Sequence, residues 1–186
     1  KDYSRDEITG PGGIGFPPEL ESAFRDYRYQ LLRDRVPAIG WSGLLIFLSY
    51  ALFDIWAMSE GLSLVSVLLR LLVVCPLVIA VLWAVGQRWS YSAFMLLYGI
   101  AYTVSCISVA AIVIAARLTD TFLPDQGLLL MILFGYFLML MPTRIVAILS
   151  IALSALYLAI TAHFATDLLN YGYQCVFFAT ANALGI

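Results

Sequence analysis

Beyond residue 35 the chain alternates between long apolar runs and very short polar interruptions. Stretches dominated by Leu, Ile, Val, Ala and Phe fill residues 36–57, 62–86, 90–116, 122–141, 144–163 and 168–186. About 20 apolar residues at a 1.5 Å rise cross the hydrocarbon core of a bilayer, so each run is a candidate span. The fourth is the least uniform, because Asp125 and Gln126 leave a purely apolar stretch only over 127–141. The connections at 58–61, 87–89, 117–121, 142–143 and 164–167 leave no room for a soluble domain, and neighbouring helices must pack antiparallel. The pattern predicts an all-α integral membrane protein, a six-transmembrane-helix bundle over residues 36–186.

Before the bundle the pattern changes. Residues 1–16 are polar and glycine-rich, which reads as a flexible cytoplasmic arm. Pro17 and Pro18 open a segment reaching Arg35 in which Leu20, Phe24, Tyr27 and Leu31 recur at helical spacing. Glu19 and Glu21 fall in its first turn, and Arg28, Arg33 and Arg35 come late, an order that suits the helix dipole. This predicts an amphipathic cytoplasmic N-terminal helix over 17–35, lying at the membrane or running into the first span.

Composition narrows the class further. Hydrophobic residues make up 62% of the 186 and charged residues only 12%, against about 25% charged in an ordinary soluble domain. A soluble fold of this size has too little interior to hide that much apolar surface. A soluble enzyme and a disordered chain are both excluded, and the net charge of −2 gives no case for nucleic acid. Lipid is the expected surrounding partner. Placing the N-terminus in the cytoplasm puts Lys1, Arg5, Arg25, Arg28, Arg33, Arg35, Arg88 and Arg144 inside, leaving Arg117 outside and Arg70 within a span. That asymmetry predicts both termini cytoplasmic. Cys75, Cys106 and Cys175 lie far apart in separate apolar runs and read as packing residues.

Chemistry must then come from polar residues at membrane depth, which are costly there. Arg70 is about eight residues into the second run, one turn after Ser66, and Asp54 lies at a compatible depth near the end of the first. They form either a structural ion pair or part of a site for an anionic ligand. His163 ends the fifth run, with Asp167 and Asn170 following it at helical spacing. Asp120 and Asp125 are expected at the same level. His163, Asp167 and Asn170 are, with Arg70 and Asp54, candidates to bind a small ligand or sense pH. His163, Asp167, Asp120 and Asp125 are candidate ligands of a divalent metal, His163 alone a candidate haem ligand, and the same groups also suit a solvated rim. The sixth run is polar for a span. Gln174, Phe178 and Asn182 share one face of it, which either packs within the bundle or forms the seam of a homodimer.

The layout resembles a known family. The segment FPPELESAFRDYR (16–28) ahead of the first span, six spans with minimal loops, and a last span closing on ANALGI (181–186) are similar to the membrane domains of bacterial nucleotide cyclases. Those are the six-helix anchors ahead of GGDEF diguanylate cyclase domains and of class III adenylate cyclases. The resemblance implies a dimer in the bacterial inner membrane. It also implies a last span continuing as a signalling helix into a C-terminal cyclase domain. The GGDEF motif and the class III metal-binding aspartates do not occur in these 186 residues, so no catalytic residue carries over.

The expectation is thus a membrane sensor, anchor and dimerisation module that couples an outer-face or intramembrane ligand (a small molecule, a lipid or a metal) to that output. A small transporter or channel subunit is the alternative. The inner halves of the spans are nearly free of ionisable groups, and the two halves of the chain show no repeat, which count against it. A membrane enzyme acting on lipid or quinone has a thinner case still, with one histidine and scattered aspartates.

Overall fold

The computed structural model describes residues 18–87, 89–119, 121, 126–139, 141–163 and 168–185. Among the described residues the elements are all helical: α1 (Pro18–Ala57), α2 (Glu60–Leu69), a π-helical turn (Arg70–Val74), α3 (Cys75–Gly86), α4 (Tyr91–Leu118), α5 (Gln126–Phe137), α6 (Thr143–Ala162) and α7 (Leu168–Gly185). Four helical stretches are long and apolar enough to cross a membrane: Tyr29–Ala57, Glu60–Gly86, Tyr91–Leu118 and Thr143–Ala162. The 12 residues of α5 rise only about 18 Å at 1.5 Å each, short of the roughly 30 Å hydrocarbon core. The 18 residues of α7 carry Asn170, Gln174 and Asn182 among their apolar positions.

α1 runs unbroken for 40 residues, so the segment before residue 36 joins the first apolar run without a corner. Phe24 and Tyr27 of its apolar stripe are exposed and Leu31 is half-buried. The packed line is Tyr29, Leu32 and Val36, one step around the helix. The reason is the neighbour it meets. Tyr29 lies edge-on to Tyr91 at 5.8 Å and tilted to Phe94 at 5.9 Å, and its hydroxyl donates to the Trp89 carbonyl. With Trp83 edge-on to Trp89 at 6.0 Å, this makes an aromatic layer at one end of the bundle.

α4 is the central helix, packing on α3, α5 and α6 and burying residues along its whole length. Ser90 caps its start by accepting from the Ala93 N–H. α1 packs on α2 and α3, while α7 packs on α5 and α6. The outer surface is apolar: Leu45, Leu52, Trp56, Leu72 and Ile148 are among its large exposed side chains, as a lipid solvent permits.

The π turn has a cause in the sequence. Pro76 has no N–H and its ring crowds the carbonyl four residues back, so regular α-helix is opposed just before it. The chain responds with one wide turn, in which the Cys75 N–H reaches the Arg70 carbonyl. Arg70 is the first residue of that turn.

Candidate functional site

Arg70 and Asp54 meet. Side chains of a helix lean toward its N-terminus, so Arg70 leans back toward the α1–α2 connection and Asp54 leans away from it, bringing both to one depth. Arg70 Nη2 is 2.8 Å and Nε 2.9 Å from Asp54 Oδ2, and Ser66 Oγ, one turn before Arg70, donates to the same oxygen. The second terminal nitrogen faces the Phe47 carbonyl at 3.4 Å, and the guanidinium carbon stands 4.6 Å from the centre of the Phe47 ring. Asp54 is 3% and Arg70 4% exposed. Of the two readings of this pair, the geometry is that of a satisfied ion pair, with the charge of Arg70 already matched.

The pair stands at the edge of a larger feature. Between α1, the π turn, α3, α4 and α5 lies a partly open cavity of about 460 Å³, with Arg70 in its wall. The lining is almost wholly hydrocarbon, from residues such as Val78, Val109, Leu130 and Phe134. Tyr98, Tyr102 and Ser105 of α4 add hydroxyl-bearing side chains to that lining. Ser105 Oγ is used locally, donating to the Ala101 carbonyl at 2.7 Å. Tyr102 shares a hydrogen bond of 2.9 Å with Ser150 Oγ on α6. Tyr98 stacks on Phe94 at 5.6 Å and is 6% exposed, and its buried hydroxyl has no hydrogen-bond partner among the described residues. The polar groups here are hydroxyls, the Cys75 thiol and a neutralised guanidinium, a set that orients a bound molecule and offers no base to activate a nucleophile.

From Tyr102 a line of polar contacts continues to α7. Ser154 Oγ donates to the Ser150 carbonyl at 2.7 Å, and Asn182 Nδ2 donates to Ser154 Oγ at 3.0 Å. Asn182 Nδ2 also reaches the Phe178 carbonyl at 2.9 Å, while its Oδ1 accepts from the Tyr136 hydroxyl of α5 at 3.0 Å. Two glycines make room for the tyrosine rings. A Cβ on Gly135 would lie 2.5 Å from the Tyr102 hydroxyl oxygen, and one on Gly185 would enter the Tyr136 ring. The face of α7 considered for a dimer seam therefore points inward: Phe178 and Asn182 are buried within the bundle and Gln174 is half-buried. The physical reason is that a buried amide in a low-dielectric interior takes the nearest partners, and α5 and α6 supply them. The exposed side of α7 carries Tyr173, Val176, Phe177 and Leu184.

Of the remaining sequence candidates, neither His163 nor Asn170 lines this cavity. His163 is exposed at the C-terminal end of α6, and Asn170 is exposed in the first turn of α7. Asp120, Asp125 and Asp167 lie outside the described residues. Among the described residues, no group of three or more His, Cys, Asp or Glu is placed to hold a metal ion. Cys75 and Cys106 are buried and Cys175 is half-buried, all as free thiols. Sequence reasoning missed Tyr98, Tyr102, Tyr136 and Ser150 as members of a polar system. Their signal was available only as hydroxyls recurring inside apolar runs.

No protein-family model matches the chain, and no curated protein matches it.

Proposed function

We propose that this chain is the membrane sensor, anchor and dimerisation module of a signalling nucleotide cyclase. In this reading six helices cross the bacterial inner membrane with both ends in the cytoplasm, and two copies associate. The exposed side of α7 is free for that contact. A molecule held within the bundle biases one packing over another, and α7 carries the difference to a cyclase domain beyond Ile186. The observation that carries the reading is the polar line from the cavity wall to the last helix, Tyr102–Ser150–Ser154–Asn182. A ligand that moves Tyr102 acts on the helix that leads to the output, and a differential affinity of a few kcal/mol is sufficient to shift such an equilibrium. The resemblance to cyclase membrane domains supplies the kind of output. The distribution of Lys and Arg supplies the orientation, and a C-terminal reporter active only on the outer side would reverse it.

The test joins a diguanylate cyclase domain after Ile186 and reads cyclic dinucleotide formation in isolated membranes. Tyr102→Phe and Asn182→Leu should each change the output about fivefold or more at equal protein level, the scale of ordinary allosteric coupling. The lipid-facing variant Leu52→Ala, on α1 and away from the exposed side of α7, should leave the polar line, and the output, as they are. Equal output from all the chains would overturn the coupling.

A further inference from the structure

The cavity beside Arg70 has a composition that selects its occupant. A volume of about 460 Å³ lies within the ordinary range of small-molecule sites, and its lining is hydrocarbon broken by few polar groups. The charge in its wall is already balanced, because Asp54 Oδ2 lies within 2.9 Å of two Arg70 nitrogens. Arg70 is the charged residue of the lining and Asp54 behind it already neutralises it, so a charged headgroup taken into this low-dielectric space would find no uncompensated opposite charge. One polar atom stands apart from this balance: the Tyr98 hydroxyl, buried without a partner among the described residues, on a side chain that lines the cavity. A buried hydroxyl left unpaired is costly; the Tyr98 oxygen is closed off from the cavity as the side chains stand, and a small turn of its ring toward an oxygen of a bound molecule removes that cost.

We propose that this cavity binds a neutral, largely apolar molecule carrying one hydrogen-bonding oxygen, in chemical class a long-chain ketone or alcohol, with its oxygen on the Tyr98 hydroxyl and its chain along Ala101, Val78 and Phe134. The proposal names the ligand class of the sensor described above and rests on that reading only for what binding does. The binding itself is measured without any output domain.

The experiment is native mass spectrometry of the full chain released from detergent after incubation with 2-hexadecanone, hexadecane or palmitate. One 2-hexadecanone per chain is expected, with palmitate at pH 8 retained about tenfold more weakly or worse, because its ionised headgroup would be buried with no uncompensated cation to pair with. Tyr98→Phe should weaken the ketone several-fold, toward about tenfold, and leave hexadecane unchanged, as loss of one hydrogen bond implies. The same variant should survive heating at least as well as the parent, since it deletes an unpartnered hydroxyl, and this separates a ligand role from a structural one. Ala101→Phe, verified as folded by its elution profile, should displace all three probes. No retention of the ketone, equal retention by Tyr98→Phe, or tighter retention of palmitate overturns the proposal. Ketone binding to which a joined cyclase never responds overturns the sensor reading and leaves the binding site standing. A responsive cyclase with no ketone binding overturns the binding proposal alone.

Discussion

Arg70 gives both Nε and Nη2 to a single oxygen of Asp54, at 2.9 and 2.8 Å, and Ser66 completes that oxygen's shell. A pair so enclosed is more costly to break than to replace. Removing one partner leaves an uncompensated charge in the interior, a loss of about 3–5 kcal/mol, whereas an apolar pair of similar volume is often neutral.

Asp54→Leu and Arg70→Met should therefore each lower the temperature at which half the protein remains monodisperse in detergent. The double variant should recover most of that loss. Additive losses in the double variant would mean that each residue has a separate partner.

Three of the six apolar runs, 90–116, 144–163 and 168–186, match helices at both ends (Tyr91–Leu118, Thr143–Ala162 and Leu168–Gly185), because hydrocarbon length dictates helix length. The run 122–141 instead holds the shorter Gln126–Phe137 among the described residues, and the run 36–57 is part of a helix that begins at Pro18. The Asp54–Arg70 pair was legible for a related reason. A charge inside an apolar run needs a partner, and the short connection leaves few residues at the right depth. Rotation was less legible. Along α7 the residues Gln174, Phe178 and Asn182 share a face in any helix, but whether that face meets a second copy or α5 and α6 depends on a turn of the whole element. At α1 likewise, helical spacing leaves open which side meets the bundle; there Leu32 is buried and Leu31 half-buried. The cavity could not be read at all. A void is a property of how five elements fail to fill a space, and Tyr98 in an apolar run looks like any other large packing residue.

Asn182 separates the two uses of α7. Its amide touches Ser154, Tyr136 and the Phe178 carbonyl, all within one chain. Asn182→Leu removes the acceptor of the half-buried Tyr136 hydroxyl and the donor to Ser154, a loss of about 1–3 kcal/mol. The expected result is a lower thermal survival midpoint with the oligomeric mass in detergent unchanged. A shift of mass toward the monomer at full thermal survival would instead place Asn182 between two copies.

The glycines of the bundle divide by what stands against them. Gly135 and Gly185 each face a tyrosine ring with no room for a Cβ, whereas Gly61 and Gly172 have open space around theirs. Alanine normally stabilises a helix relative to glycine by about 0.5–1 kcal/mol, since glycine loses more backbone freedom on ordering. Gly172→Ala and Gly61→Ala should thus be neutral or mildly stabilising. Gly185→Ala must push the Tyr136 ring aside and so strain its bond to Asn182; Gly135→Ala does the same to Tyr102 and its bond to Ser150. Both should be destabilising by about 1–3 kcal/mol, the usual scale for overpacking a filled interior. Thermal survival of the four variants side by side checks this, and equal midpoints would mean that the rings of Tyr102 and Tyr136 move aside freely. Tyr136→Ala should rescue Gly185→Ala relative to its effect on the parent, because the three atoms nearest the added Cβ all belong to that ring.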